Sequence, residues 1–194
     1  MNTILQKLFA ENNGYLARKQ VPDKTIYNYL LNLVNEGVVE RIKHGVYFYE
    51  IASQDNTMID VEKIVPGGVL CLYSAWMYYG LTVQIPQSFS IAIEKNRKVS
   101  LPDYPPITLY YWKQEYYEMG IIAQSISGYS LKIYDVEKSV CDAVKYRTKI
   151  GMETTSEILK TYLKRKDRNL TKLIGYAKNM RIEKVLKTYL EILL

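Results

Sequence analysis

The chain has 194 residues, with 26 Lys and Arg against 20 Asp and Glu and a single His. A hydrophobic content of 48% with 24% charged side chains excludes wholesale disorder, and the length suits one domain or two unequal ones. The longest apolar stretch, Val69 to Tyr79, is interrupted by Ser74 and is too short to span a bilayer.

The opening Met1-Asn2-Thr3-Ile4 lacks the basic region and long apolar run of a signal peptide. Cys71 and Cys141 do not form a C-x-x-C pair, and His44 is the lone imidazole, which argues against a zinc site and a disulfide scaffold. A reduced, cytoplasmic protein without metal, cofactor or membrane contact is expected. Charge is unevenly placed: residues 1–50 hold six basic and five acidic side chains, 51–134 six and seven, and 135–194 fourteen and eight. The basic excess of the last third favours an anionic partner, most simply nucleic acid, with solubility alone as the competing explanation. Nineteen tyrosines occur at no regular spacing, so pattern assigns them no role.

Ile4, Leu5, Leu8 and Phe9 recur at helical spacing, and Asn12-Asn13-Gly14 ends that helix. Tyr15 to Lys19 reads as a short second helix stopped by Val21-Pro22. Asp23 is a natural N-cap for a third, which runs from Lys24 to about Asn35. Ile26, Tyr29, Leu30, Leu33 and Val34 form its buried face, and Gly37 its exit. Val38 to Ile42 and Val46 to Tyr49 read as a hairpin turning at Lys43-His44-Gly45.

Three helices and a hairpin in about fifty residues is the order of a winged helix-turn-helix, whose recognition helix meets base edges with the side facing away from its core. That side carries Lys24, Thr25, Tyr27, Asn28 and Asn32. Lys can bond guanine acceptors, Asn can pair with adenine, and Thr can bond base or phosphate. Arg18, Lys19, Arg41, Lys43 and His44 are placed to meet the flanking backbone. A solvated helix face is the competing explanation of Lys24 and Asn28.

The polar run at residues 52–57 divides a first domain, 1–51, from a second, 58–194. Val69 to Tyr79 reads as a buried helix ended by Gly80, and Phe89 to Ile93, Ile107 to Trp112, Ile121 to Ile126 and Leu131 to Tyr134 as strands of a small, mostly antiparallel sheet. From Asp135, an N-cap, the period is helical up to Gly151. Thr154 with Glu157 reads as the capping box of the next helix, and two further helices follow around Leu173 and Leu186. The expected class is α+β: a winged helix followed by a larger domain of strands and then helices.

Asp135-x-Glu137 resembles a metal-binding carboxylate pair, but Gly128-Tyr129-Ser130 does not supply the Gly-Ser element of a nucleotidyltransferase, and helix capping accounts for both acids. No nucleophile elbow, phosphate loop or Cys/His arrangement occurs, so no catalytic residue is assigned. Lys145, Arg147 and Lys149, and the dense run Lys164-Arg165-Lys166 with Arg168 and Lys172, form a basic surface, open between anion binding and a solvated helix end.

Several segments taken in order resemble the AbiEi antitoxins of bacterial abortive-infection systems. They are Gly14-Tyr15-Leu16, Asn35-Glu36-Gly37, Glu40-Arg41 leading into His44-Gly45-Val46-Tyr47, Tyr79-Gly80-Leu81-Thr82, Tyr134 to Asp142 before Lys145-Tyr146-Arg147, and Leu173-Ile174-x-Tyr176-Ala177. The resemblance implies a non-enzymatic repressor that binds inverted repeats in its own promoter. It also implies a second domain that counteracts a nucleotidyltransferase-like toxin with no stable complex required. A plain repressor whose second domain binds a ligand or dimerises is the alternative, and a nucleic-acid-modifying enzyme is the remaining one.

Overall fold

A computed structural model of the chain describes residues 1–52, 58–126 and 128–193. The fold is α+β with two sheets, and it separates into two compact units. The first comprises Met1–Gly68, Lys98–Pro106 and Ala123–Leu131; the second comprises Val69–Arg97, Ile107–Ile122 and Lys132–Leu194. The boundary expected at 52–57 falls inside the first unit, with residues 53–57 outside the described ones.

The first unit begins with α1 (Thr3–Glu11), capped by Asn2, whose side chain accepts from the Ile4 amide. The expected second helix is instead a strand, β1 (Tyr15–Ala17), followed by one 3-10 turn, Arg18–Gln20. A helix confined to Tyr15–Lys19 would satisfy few of its own backbone groups. As a strand, Tyr15, Leu16 and Ala17 pair antiparallel with Phe48, Tyr47 and Val46 and are all buried.

Helix α2 (Lys24–Asn35) starts at Asp23, whose carboxylate accepts the Ile26 amide at 2.8 Å. Ile26, Leu30 and Leu33 are buried, at i, i+4 and i+7. Tyr29, expected inside, is exposed, because it lies on the flank of that stripe. Strands β2 (Glu40–Lys43) and β3 (Val46–Phe48) meet at His44-Gly45, where Gly45 takes a φ of 74° that suits a residue without Cβ. The sheet order is β1-β3-β2, and Leu5, Phe9, Leu16, Leu30 and Tyr47 fill the core beneath it.

Beyond the hairpin, the short helix α3 (Val61–Ile64) belongs to the same unit for a physical reason. Lys63 Nζ reaches Asp60 at 2.7 Å and Asn12 at 3.2 Å, and Lys43 Nζ donates to the Ile64 carbonyl. From much later in the sequence, Tyr129 Oη donates to the Asn13 carbonyl at 2.8 Å, and its ring stands edge-on to Tyr15.

The second unit opens with β4 (Val69–Leu70) and α4 (Leu72–Tyr78), so the expected helix gives up its first two residues to the sheet. The other elements are β5 (Phe89–Glu94), β6 (Ile107–Trp112), the turn-length α5 (Gln114–Tyr117), β7 (Ile121–Ile126) and β8 (Tyr129–Tyr134). The last parts of β7 and the first of β8 belong to the first unit. Strand order is β6-β5-β4-β8-β7. The sheet is mixed, not mostly antiparallel: β4 runs antiparallel to β5 but parallel to β8, and β5 runs parallel to β6 in the register Phe89↔Ile107 to Glu94↔Trp112. The connection through Pro102, Pro105 and Pro106 is a long crossover rather than a hairpin, which brings β6 back in the same direction.

Four helices follow: α6 (Val136–Ile150), α7 (Met152–Leu163), α8 (Leu170–Asn179) and α9 (Glu183–Leu193). Asp135 caps α6 by accepting the Lys138 amide. Thr154 and Glu157 do not cap α7, which already starts at Met152 after Gly151. They hold the segment after α4 instead: Gln84 Nε2 donates to Thr154 Oγ1 at 3.0 Å, and the Val83 amide to Glu157 at 3.0 Å. Trp76, fully buried, donates its indole N–H to the Ser139 carbonyl at 2.8 Å and ties α4 to α6. Burial of such a side chain is worth about 1.5–3 kcal/mol. Among the described residues, no helix is long and apolar enough to cross a membrane.

Candidate nucleic-acid interface

Helix α2 presents Lys24, Thr25, Asn28 and Asn32 to solvent, opposite its buried stripe. The strip combines a cation, a hydroxyl and two carboxamides, a donor and acceptor set suited to base edges. Because Asp23 already takes the Ile26 amide, the start of α2 carries a carboxylate rather than an open row of N–H groups. Any contact to an anionic partner there would draw mainly on side chains.

Tyr27 departs from the expected outward face. It is half-buried, with its hydroxyl 3.0 Å from that of Tyr47, and Arg18 Cζ lies 4.1 Å from its ring centroid. The ring is thus a platform for Arg18, a cation–π contact worth about 0.5–1 kcal/mol at an exposed site. Burial, and then the bond to Tyr27, pushes the Tyr47 phenol up to about 12. The Arg18 amide also donates to the Gly45 carbonyl at 2.8 Å, so the 3-10 turn is fastened to the hairpin tip.

On the hairpin, Arg41 Nη2 donates to His44 Nδ1 at 2.9 Å, and both side chains are exposed. Lys43 turns the other way. Its ammonium is held on the Ile64 carbonyl, and burial lowers its pKa. Arg18, Lys19, Lys24, Thr25, Asn28, Asn32, Arg41 and His44 are thus exposed in the first unit, whereas Tyr27 and Lys43 are half-buried.

The basic residues of the second unit are partly engaged. Lys145 Nζ donates to the Met180 carbonyl at 3.0 Å and Arg147 to that of Val144 at 3.1 Å, while Lys149 lies over the Tyr146 ring. Arg165 donates to the Tyr79 carbonyl at 2.9 Å and pairs with Asp167 at 2.8 Å. Lys164 and Lys166 are exposed.

Asp135 and Glu137 are both buried at the start of α6 and bound to side chains, not only to the helix end. Asp135 Oδ2 accepts from Tyr176 at 2.8 Å and pairs with Lys172 at 3.0 Å. Glu137 Oε1 accepts from Tyr162 at 3.2 Å and from the Asn169 amide at 3.1 Å. Burial, reinforced by these carboxylates, raises the Tyr176 and Tyr162 phenols. Among the described residues, no group of three or more His, Cys, Asp or Glu is placed to hold a metal.

Next along α6, Lys138 pairs with Asp142 and sits 4.0 Å from the Trp112 ring centroid and 4.3 Å from that of Tyr134. These two charges line the floor of a cavity of about 280 Å³, whose other residues include Lys95, Lys113, Lys145, Tyr111, Trp112 and Tyr116. The sequence signals for this arrangement are faint: an i, i+4 Lys–Asp spacing that ordinarily marks an exposed helix face, and tyrosines without a period. No protein-family model matches the chain, and no curated protein does.

Proposed function

We propose that the first unit is a winged helix-turn-helix and that the chain is an AbiEi-type antitoxin. In this function it works in the cytoplasm without catalysis of its own, binds inverted repeats in its own promoter, and counteracts a nucleotidyltransferase-like toxin with no stable complex required. One observation carries the DNA-binding half. A capped helix buries Ile26, Leu30 and Leu33 and offers Lys24, Thr25, Asn28 and Asn32 to solvent, beside an antiparallel hairpin that exposes Arg41 and His44. The antitoxin half is supported by the ordered motifs from Gly14 to Ala177. A plain repressor with a ligand-binding second domain is the second reading, favoured by the lysine-rimmed cavity.

The test is a footprint on the operon's own promoter, with affinities for the wild type and for Asn28→Ala alone and combined with Lys24→Ala. Loss of a bidentate base contact costs about 1–3 kcal/mol, so Asn28→Ala should relax preference at one or two base pairs. An unchanged footprint and affinity for the double variant would remove α2 from the interface.

A further inference from the structure

We infer that the cavity of the second unit binds a nucleotide unit, with its base against the aromatic wall and its phosphate on the lysine rim. This site is distinct from the DNA-binding face, and all of its lining residues lie in the second unit.

Charge restricts the ligand first. Among the described residues, Asp142 is the one carboxylate lining the cavity, and it is already paired with Lys138 at 2.7 Å, with 1% and 0% of the two side chains exposed. The floor is therefore neutral in sum. Lys95, Lys113 and Lys145 are exposed and add three positive charges with no further acid among the described lining residues. Low-dielectric walls focus that field, so the cavity selects an anion. Lys145 is oriented for it, because its bond to the Met180 carbonyl fixes the ammonium while leaving further N–H donors.

The walls restrict the ligand further. A bare phosphate needs donors and charge, but not Tyr111, Trp112, Tyr116 and Tyr146 around it. Tyr146 Oη accepts the Trp112 indole N–H at 2.8 Å, which orients both rings and keeps the phenol proton for an acceptor on a ligand. Flat aromatic faces beside a row of cations are the means by which proteins hold nucleotides of single strands, each stacked base contributing about 1–3 kcal/mol. At about 280 Å³ the space is near the lower end of small-molecule sites, which limits it to one base with its sugar. Two sources share this chemistry: a free mononucleotide and the terminal nucleotide of a single strand.

Tryptophan emission reads the site directly. Trp112 lines the cavity, whereas Trp76 is fully buried and bonded to Ser139. The full-length chain carrying Lys24→Ala and Asn28→Ala, which weakens the first unit's proposed DNA contacts, is titrated with the four nucleoside 5′-monophosphates. The corresponding nucleosides, pyrophosphate, phenyl phosphate and a short 5′-phosphorylated single-stranded oligonucleotide are the comparison probes. At least one monophosphate or the oligonucleotide should bind with Kd below about 1 mM. It should bind about tenfold more tightly than the nucleoside, pyrophosphate or phenyl phosphate, and Lys95→Ala with Lys113→Ala should weaken it about tenfold. Both lysines are exposed, and an unchanged melting temperature would confirm that this variant is folded. Tighter binding of the oligonucleotide than of any monophosphate assigns the site to a strand end; the reverse assigns it to a free nucleotide. No emission change with any nucleotide or with the oligonucleotide, phenyl phosphate or pyrophosphate binding as well as they do, or indifference to the double lysine variant each overturns the inference.

Discussion

Lys138 and Asp142 stand one turn apart on α6 and form a 2.7 Å ion pair in which 0% and 1% of the side chains are exposed. The ammonium also faces the rings of Trp112 and Tyr134, while Asp142 Oδ2 has no hydrogen-bond partner among the described residues. Removing one charge leaves the other buried and uncompensated, at a cost of about 3–5 kcal/mol, whereas an apolar pair of similar volume is often neutral or better. Lys138→Met should therefore lower the urea midpoint sharply, and adding Asp142→Leu should recover most of the loss. If the single variant unfolds at the wild-type urea concentration, the pair is not coupled in this way.

The same carboxyl sets a pH dependence. Burial pushes Asp142 up to about 6, and the attraction of Lys138 only partly opposes it. Asp135 pushes in the same direction as burial, and Lys145 against it. A folded-state pKa above the ordinary carboxyl value means that the fold holds the proton more tightly than the unfolded chain. Stability from this group is then fully present below the ordinary carboxyl range and is lost as the pH rises through about 6. The difference in melting temperature between wild type and Asp142→Asn should accordingly move against the wild type from about pH 5 to about pH 7. A difference that stays constant across that window would show that Asp142 does not titrate there.

The parts of the fold legible in the sequence are those fixed by neighbours along the chain. Asp23 before Lys24, with apolar residues at 26, 30 and 33, gave α2 its start and its inner face, and Asp135 did the same for α6. Tyr15–Ala17 was not legible, because its strand exists only through pairing with β3, some thirty residues later. Thr154 and Glu157 matched a capping pattern by spacing, but a helix already begun at Met152 frees them to hold residues 82–84. At the candidate interface, Lys24 and Asn28 were legible as the outward face. The inward turns of Lys43 and Tyr27 depend on Ile64 and Tyr47, which spacing does not reveal.

That division of the basic residues gives the salt dependence of the proposed DNA binding a definite size. Arg18, Lys19, Lys24 and Arg41 are the exposed cations of the first unit's face. If each neutralises a phosphate, log K should fall against log salt with a slope of about −4, at about −0.9 per contact. Lys24→Ala should flatten it by about 1. Lys43→Ala should leave the slope alone while costing about 1–3 kcal/mol of stability, because the Ile64 carbonyl loses its donor. A change of slope for Lys43→Ala with no loss of stability would put that lysine on the DNA after all.

A truncation tests where the first unit ends. A chain beginning at residue 58 keeps the second core, which includes Trp76, Tyr134, Val140, Ile158, Leu173 and Leu186. It lacks Asn12, Asn13 and Tyr15, the partners of Lys63 and Tyr129. It also strands Val61 and Ile64, both buried in the whole chain, outside the unit to which they belong. Hydrogen exchange of that fragment should show protected amides in α6 and α7, but lost protection over residues 59–65, 123–126 and 128–131, relative to the full-length protein. In the full-length chain, Tyr129→Phe should reproduce a local part of this, since it removes the bond to the Asn13 carbonyl, at a cost of about 1 kcal/mol. Protection retained over these segments in the fragment would mean that they hold their structure without the first fifty residues. The dividing line would then return to the polar run before Met58.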